Sequence, residues 1–366
     1  MLNVFSGKTV LVTGHTGFKG SWLSIWLKML GAKVVGLALD PNTIPSHFDA
    51  ALLKEELVDY RVDIRSSKMI SDIIHDIKPD FVFHLAAQPL VRESYNNPID
   101  TYAVNVMGTI HILDALRNLN KHCAAVFITS DKCYDNVEWV WGYKETDSLG
   151  GKDPYSASKG AAELVVKTYA ESYFKDSNSK TKIASARAGN VIGGGDWARY
   201  RIIPDSVVSW SKKDCLIIRS PNATRPWQHV LEPLSGYLSL GEKLSNDSSI
   251  CGESFNFGPR PENNYSVERL LIEMSKYWED VKWEIKINLS NQKEAGLLKL
   301  NCDKALFQLN WMPNLDFEET VKFVSEWYKE YYRNSNSNGM FDFTRMQIDS
   351  YTNLAKKKNF SWTMQS

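Results

Sequence analysis

The chain has 366 residues, 43% of them hydrophobic, with Lys plus Arg and Asp plus Glu balanced at 43 each. That length accommodates one large domain or two moderate ones, and that apolar content supports a sizeable core rather than disorder. A neutral chain without a basic stripe argues against nucleic-acid binding, which needs clustered cationic charge. Five scattered cysteines, none in C-x-x-C spacing, argue against a metal site and fit a reducing cytoplasm. The first residues lack the basic and apolar regions of a secretion signal. No apolar run approaches the roughly 18 residues that span a bilayer, so no membrane partner is expected. Twelve tryptophans are a high number, and most are read as packing residues.

The β-branched run at 8–13 predicts a buried strand ending at Gly14, and residues 21–30 a helix stopped by Gly31. Strands follow at 33–39, 60–64, 80–86, 124–129 and 182–188. Between them, helices are predicted over 68–77, 101–119 and 156–174. Strands alternating with helices imply a parallel sheet covered on both faces, an α/β fold of Rossmann-type doubly wound form. After about Gly193 the pattern breaks into a stretch rich in Gly, Arg, Trp and Pro. One more strand is expected at 255–258, and the rest is mostly helical, a smaller and mixed substrate-binding region. Residues 334–339 read as a flexible turn before a last, weakly specified segment.

Gly14, Gly17 and Gly20 form a G-x-x-G-x-x-G pattern between the first strand and the first helix. Glycines there let the backbone turn tightly and approach a pyrophosphate seated on the helix N-terminus. Asp40 stands 20 residues after Gly20, at the end of the next strand. A carboxylate in that place binds both ribose hydroxyls and repels a 2′-phosphate, so NAD is expected rather than NADP. Lys19 has two readings, a charge tolerant of phosphate or a solvated loop cation. Asp63 and Ile64 are candidates for flanking the adenine, and Leu85, Ala86, Ala87 and Gln88 supply small residues beside the cofactor. The dinucleotide-binding region is accordingly placed at 1–190, with about 230–258 returning to it, and the substrate region at 191–229 and 259–366.

Tyr155 and Lys159, at i and i+4 on the helix that follows Asp153-Pro154, share one helix face. A cation near a phenol favours the phenolate, which makes Tyr155 a base toward an alcohol. With the glycine pattern and Asp40, this pair makes the chain resemble the extended short-chain dehydrogenase/reductase family. The resemblance implies that Ser130, near the end of the preceding strand, hydrogen-bonds a substrate alcohol. It also extends the cofactor set to Thr16, Phe18, Asn105 and Thr129, with Lys159 on the nicotinamide ribose.

Hydride transfer needs no further acid/base pair, yet Asp131 and Lys132 directly follow Ser130. Within the family, nucleotide-sugar 4,6-dehydratases carry such a pair, because they also eliminate water across C5 and C6. Most read Thr-Asp-Glu there, and this chain reads Ser-Asp-Lys. Long blocks carry the likeness, among them TGHTGFKGSWL (13–23), TSDKCYDNVEWVWGY (129–143), RAGNVIGGGDW (187–197) and RPWQHVLEPLSG (225–236). The likeness is weakest after about Ser290, where residues 293–296 lack the expected histidines.

The resemblance implies CDP-D-glucose as substrate, NAD as a tightly bound cofactor, and a homodimer or homotetramer. In the implied cycle Tyr155 takes the C4 hydroxyl proton as C4 is oxidised. Lys132 then removes the C5 proton, Asp131 protonates the leaving C6 hydroxyl, and hydride returns to C6. Lys132 must be neutral for this and Asp131 protonated; the reverse roles, and a plain solvated turn, remain open. Asn190 and Arg225 are the expected diphosphate ligands, with Arg199 and Arg201 as alternatives, because guanidinium forks suit phosphate. The glycines at 193–195 are read as bending around the nucleotide. His15, His84 and His229 are read as packing or hydrogen-bonding residues. An epimerase, a dehydratase for another nucleotide and a silent NAD-binding scaffold are the competing readings. Deoxysugars of the implied kind feed surface polysaccharides such as the O-antigen of lipopolysaccharide.

Overall fold

The computed structural model describes residues 3–176, 178–286, 297–333 and 339–363. Seven parallel strands form one sheet: β1 (Thr9–Thr13), β2 (Lys33–Ala38), β3 (Val58–Arg61), β4 (Phe81–His84), β5 (Cys123–Ile128), β6 (Thr181–Ala188) and β7 (Ser254–Phe257). Their order across the sheet is β7-β6-β5-β4-β1-β2-β3. The order reverses direction between β1 and β4, the switch point where open α/β sheets bind ligands. Because all strands run parallel, the ends of β1, β4 and β5 open on the same side.

Side chains alternate across each strand, and both faces are covered. Val10, Val12, Phe81, Phe83, Ala124 and Val126 enter one core. Leu11, Val82, Ala125 and Phe127, the residues between them, enter the other. This is why the strands read as continuous apolar runs rather than alternating ones. Helices α1 (Phe18–Met29), α2 (Ser67–Ile77), α3 (Gly108–Arg117) and α4 (Pro154–Tyr169) connect the strands. Ile70 and Ile74 of α2 join Ile112, Leu113 and Leu116 of α3 on the second face. Trp22, Leu23 and Leu27 of α1 pack on the first.

Two predicted helices have π-type turns. Residues 98–117 form one run with a π turn at Ala103–Met107, and α4 ends in another at Ala170–Phe174. The strand expected at 60–64 is displaced toward the N-terminus, and Val62 to Ile64 follow it as connecting chain. Asp63 there accepts from the Arg65 backbone at 2.9 Å, a local turn that ends the strand.

Beyond β6 come α5 (Ile202–Ser211), α6 (Leu231–Asn246), α7 (Val267–Ser275), α8 (Phe317–Arg333) and α9 (Met340–Lys357). Helix α6 packs under β5 and β6, and β7 then closes the sheet beside β6. The turn expected at 334–339 lies, except for Gly339, outside the described residues. The segment after it is better specified than its sequence suggests. Met340, Ile348, Tyr351 and Ala355 of α9 are buried, and the Tyr351 ring lies 5.8 Å from Trp26 of α1. Trp22, Trp311 and Trp327 are fully buried, as packing residues should be, whereas Trp141 is 71% exposed.

Candidate active site

The turn from β1 into α1 is built around two glycines. Gly14 has φ +73°, a left-handed conformation that side chains disfavour, and an added Cβ would lie 2.8 Å from the Ala86 nitrogen. A Cβ on Gly20 would lie 2.1 Å from the Gly14 carbonyl oxygen, so α1 starts hard against the loop. Thr16 donates to the Leu39 carbonyl at 2.9 Å, which fixes the loop beside the end of β2. Asp40 follows β2 with its side chain 89% exposed, and Arg61 stands 3.5 Å from its carboxylate. His15 faces inward to Asp59 at 2.9 Å, and burial lowers its pKa despite that partner.

Beyond β4, residues Leu85 to Gln88 pass along the loop, and Ala86 donates to the Thr13 hydroxyl at 3.2 Å. The buried Asn105 side chain, set in the π turn, accepts from the Gln88 nitrogen at 2.8 Å. It donates to the Gln88 carbonyl at 3.1 Å and to Ser158 of α4 at 2.8 Å. Asn105 thus ties this loop to the helix that carries Tyr155. Asp63 is clamped by Arg65, which also pairs with Asp100; the Arg65 bonds hold the Asp63 carboxyl below the usual range. Ile64 is buried under Gly108.

After β5 the chain turns sharply through a short 3₁₀ turn at Asp131–Cys133. Ser130 caps it: its hydroxyl accepts from the Lys132 nitrogen at 3.2 Å and donates to the Asp131 carboxylate at 3.0 Å. Asp131 is 4% exposed, and burial raises its pKa against the pull of Lys132 and Lys19. Lys132 is partly exposed rather than buried. Asp153 caps α4, accepting from the Ser156 nitrogen at 2.9 Å, and Pro154 fits the first helical position. This start places the buried Tyr155 in the first turn, near enough to Ser130 for that hydroxyl to act on the phenol, with Lys159 one turn on.

The electrostatics differ from expectation at three residues. Burial pushes the Tyr155 phenol up to about 12, and the nearby Asp131 charge adds to this, so the protein alone does not favour the phenolate. Burial likewise brings Lys159 down to about 8, against the attraction of Glu163. Lys19 is no solvated loop cation: it projects among Arg201, Asp131, Lys159 and Asp196, and burial lowers it to about 8.

Of the four proposed anion ligands, Arg201 reaches this centre. Asp196 holds it at 2.7 Å, and its charge acts on Tyr155. Arg199 is exposed, Asn190 is partly buried, and Arg225 donates to the Thr224 carbonyl at 2.8 Å. Gly193 to Gly195 have a packing reason for their size: a Cβ on Gly194 would lie 2.0 Å from the Trp327 ring. His84 bonds Thr13 at 2.8 Å, and His229 is buried beside Trp22 and Phe323, as structural histidines are. Lys293 and its neighbours lie outside the described residues. No metal-type cluster occurs among the described residues.

Sequence reading missed a buried network behind this turn. Glu163 pairs with Arg187 at 2.7 Å and accepts from Thr129, and also from Ser185 at 2.8 Å. The Thr129 hydroxyl, expected at the cofactor, is therefore committed to Glu163. Arg187 goes on to Tyr134 at 2.8 Å, and Tyr134 to Asn256 at 2.8 Å. The available signal was Glu163 itself, a charge four residues after Lys159 on a face that otherwise turns inward.

A parallel sheet with a glycine loop after β1 and a Tyr-x-x-x-Lys helix beside the end of β5 is the architecture of the extended short-chain dehydrogenases/reductases. Within that class, residues 11–324 match the family described as GDP-mannose 4,6 dehydratase, and the chain belongs to it. It is 46% identical to the CDP-glucose 4,6-dehydratase of Salmonella typhimurium, over 95% of this chain and 97% of that one. It is 25% identical to the CDP-paratose 2-epimerase of Salmonella typhi, over 87% of this chain and 98% of that one. The dTDP-glucose 4,6-dehydratase of Bacillus anthracis, solved with NAD, superposes with a TM-score of 0.72 at 18% identity, covering 89% of this chain and 98% of that one. The UDP-glucose 4-epimerase of Stenotrophomonas maltophila, solved with NAD and a formylated UDP-arabinopyranose, gives 0.77 at 20% identity, covering 90% and 100%.

Proposed function

We infer that this chain is a CDP-D-glucose 4,6-dehydratase, a hydro-lyase that yields CDP-4-dehydro-6-deoxy-D-glucose and water. The observation that carries the reading is the Ser130-Asp131-Lys132 turn, with its acid buried and bonded to the serine beside Tyr155. The near full-length similarity to the Salmonella enzyme supports the same substrate. NAD fits the residues present: two glycines bare the backbone at the start of α1, and Asp40 stands open at the end of β2. Gly14, Thr16, Gly17, Phe18 and Lys19 would hold its diphosphate side, Asp40 its adenosine ribose, and Lys159 the nicotinamide ribose. When bound, NAD would supply the hydride acceptor for oxidation at C4 and the hydride donor for reduction at C6.

The chain's own residues handle protons and orientation. Tyr155 takes the C4 hydroxyl proton, and its raised pKa means that it needs a cationic neighbour to do so. The C4 ketone acidifies the C5 hydrogen, which Lys132 removes. Asp131, whose acid form burial favours, gives its proton to the leaving C6 hydroxyl. Asn190 and Arg225 are assigned to the nucleotide diphosphate, with Arg201 and Arg199 as alternatives, residues 191–229 and 259–366 as the substrate region and 1–190 with 230–258 as the NAD region. All five cysteines are free, which suits the cytoplasm, and we assign a homo-oligomeric state.

Purified enzyme given CDP-D-glucose should release a sugar nucleotide lighter by one water, detected by mass spectrometry. An unchanged mass would point to an epimerase and end this reading. Lys132→Ala should keep its NAD but lose exchange of the C5 hydrogen with solvent deuterium; normal exchange would remove Lys132 from the base role.

A further inference from the structure

We propose that Glu163 and Arg187 are positioning residues for the elimination half of the reaction: their buried pair fixes the Asp131-Lys132 turn against the helix that carries Tyr155 and Lys159. The inference rests on the dehydratase reading. It starts from a geometric demand. Oxidation at C4 falls to Tyr155 and Lys159 on α4, whereas the acid and base for C6 and C5 stand on the turn after β5. Two elements must therefore meet one short carbon chain in register, and a misplacement of about 1 Å between them can cost about 100-fold in rate. Hydride transfer alone makes no such demand on Asp131 and Lys132.

The network ties both ends of the turn to α4. At the entrance, the Thr129 hydroxyl donates to Glu163 of α4, and the Thr129 nitrogen donates to the Ala186 carbonyl of β6 at 2.9 Å. At the exit, the Tyr134 hydroxyl accepts from Arg187 at 2.8 Å and donates to Asn256 of β7 at 2.8 Å. Arg187 closes the ring by pairing with Glu163 at 2.7 Å, and its guanidinium lies 4.9 Å from the centre of the Tyr134 ring. Between the two ties the backbones approach closely. A Cβ on Gly160, the residue after Lys159, would lie 3.2 Å from the Cys133 carbonyl oxygen. Glu163, Arg187 and Tyr134 are all buried. Burial opposes the charge on Glu163, yet Arg187 and the Thr129 and Ser185 hydroxyls hold its carboxyl below the ordinary value, so the ion pair persists. Desolvating such a pair is costly, and well-packed apolar residues would join two elements at least as firmly. What the pair adds is direction, because each hydrogen bond has a preferred length and angle. The two ends of the turn differ. Ser130 adjoins Thr129, which the sheet also holds, so loosening the exit displaces Asp131 and Lys132 more than Ser130.

The test is rapid mixing of NAD-loaded enzyme with CDP-D-glucose, followed by the absorbance of the reduced nicotinamide. Tyr134→Phe keeps the ring and cuts the tie at the exit. Its NADH should form at the unaltered rate and then decay about 10-fold more slowly, so that NADH accumulates as kcat falls. Glu163→Gln alone would leave the Arg187 charge buried without its partner and endanger folding. Glu163→Gln combined with Arg187→Met removes both charges; it should melt cooperatively and show the same accumulation. In cofactor-free protein, amide hydrogen exchange over 131–135 should quicken about 10-fold in Tyr134→Phe, while exchange over 156–169 stays as it was. A merely structural pair would lower the melting temperature without separating the two phases. Formation and decay slowed by one factor, or both unaltered, overturns the positioning role. So does unaltered exchange over 131–135. If the unaltered enzyme makes no dehydrated product while the exchange result holds, the function assignment has failed instead.

Discussion

Lys19 is the residue whose surroundings most change its meaning. A basic residue in the first turn of a helix opposes the helix dipole, so a chain gains nothing from it unless something else holds it. Here the partners are across the cleft, and Asp131 is one of them: Lys19 pulls the Asp131 pKa down while burial pushes it up. Removing the cation leaves burial less opposed, and the acid form of Asp131 then persists to higher pH. Lys19→Met should therefore move the alkaline limb of the pH dependence of kcat upward by about one unit. A limb that stays in place would show that Lys19 does not tune the acid. The residue types at the site were legible because Ser130, Tyr155, Lys159 and the glycines stand at fixed spacings along single elements. The surroundings of Lys19 were not, because Arg201 and Asp196 come from a loop about 180 residues away in the chain, and no local pattern records that approach.

Elements carry their own electrostatic staples. Glu232, in the first turn of α6, is buried and accepts from the Asn314 and Leu315 nitrogens at 3.0 and 2.6 Å and from the Tyr351 hydroxyl at 2.9 Å. It thereby fastens α6 to the chain before α8 and to α9. Burial outweighs those donors and raises its carboxyl from 4.5 to about 7. Between those values the folded chain keeps a proton that the unfolded chain has lost, so stability declines as pH rises through that window and levels off above it. The decline should be on the order of 3 kcal/mol. Glu232→Gln keeps an acceptor and removes the titration, so melting temperature should become flat between pH 5 and 7; an unaltered slope would mean that another group causes it. Strands and helices were legible wherever one period persisted. The π turns were not, because an i→i+5 bond leaves no hydrophobic signature distinct from that of an α-helix. The start of β3 was misread because the apolar residues Val62 and Ile64 belong to the turn beyond it.

At the scale of the whole molecule, the C-terminal segment is part of the core. The Tyr351 ring stacks on the Trp362 ring at 5.8 Å, and Trp327 of α8 donates to Thr344 of α9 at 3.0 Å. Each large apolar side chain buried there contributes roughly 1.5–3 kcal/mol, and net stability is only about 5–15 kcal/mol. A chain stopped after residue 338 should therefore fail to accumulate as folded protein, as judged by soluble yield and circular dichroism. A folded, cooperatively melting product would show that α9 is dispensable. The doubly wound sheet was readable from the alternation of strands and helices, and the later half was not, since its elements are held by contacts between distant segments. The position of β7 also matters while the chain is being made. It begins 66 residues after β6 ends, yet it is the strand that covers β6. At about 5–20 residues per second, the ribosome leaves the edge of β6 bare for roughly 3 to 13 s. During that interval a nascent chain offers an unpaired strand to its neighbours, a period in which chaperone capture or polysome crowding decides how much enzyme a cell obtains.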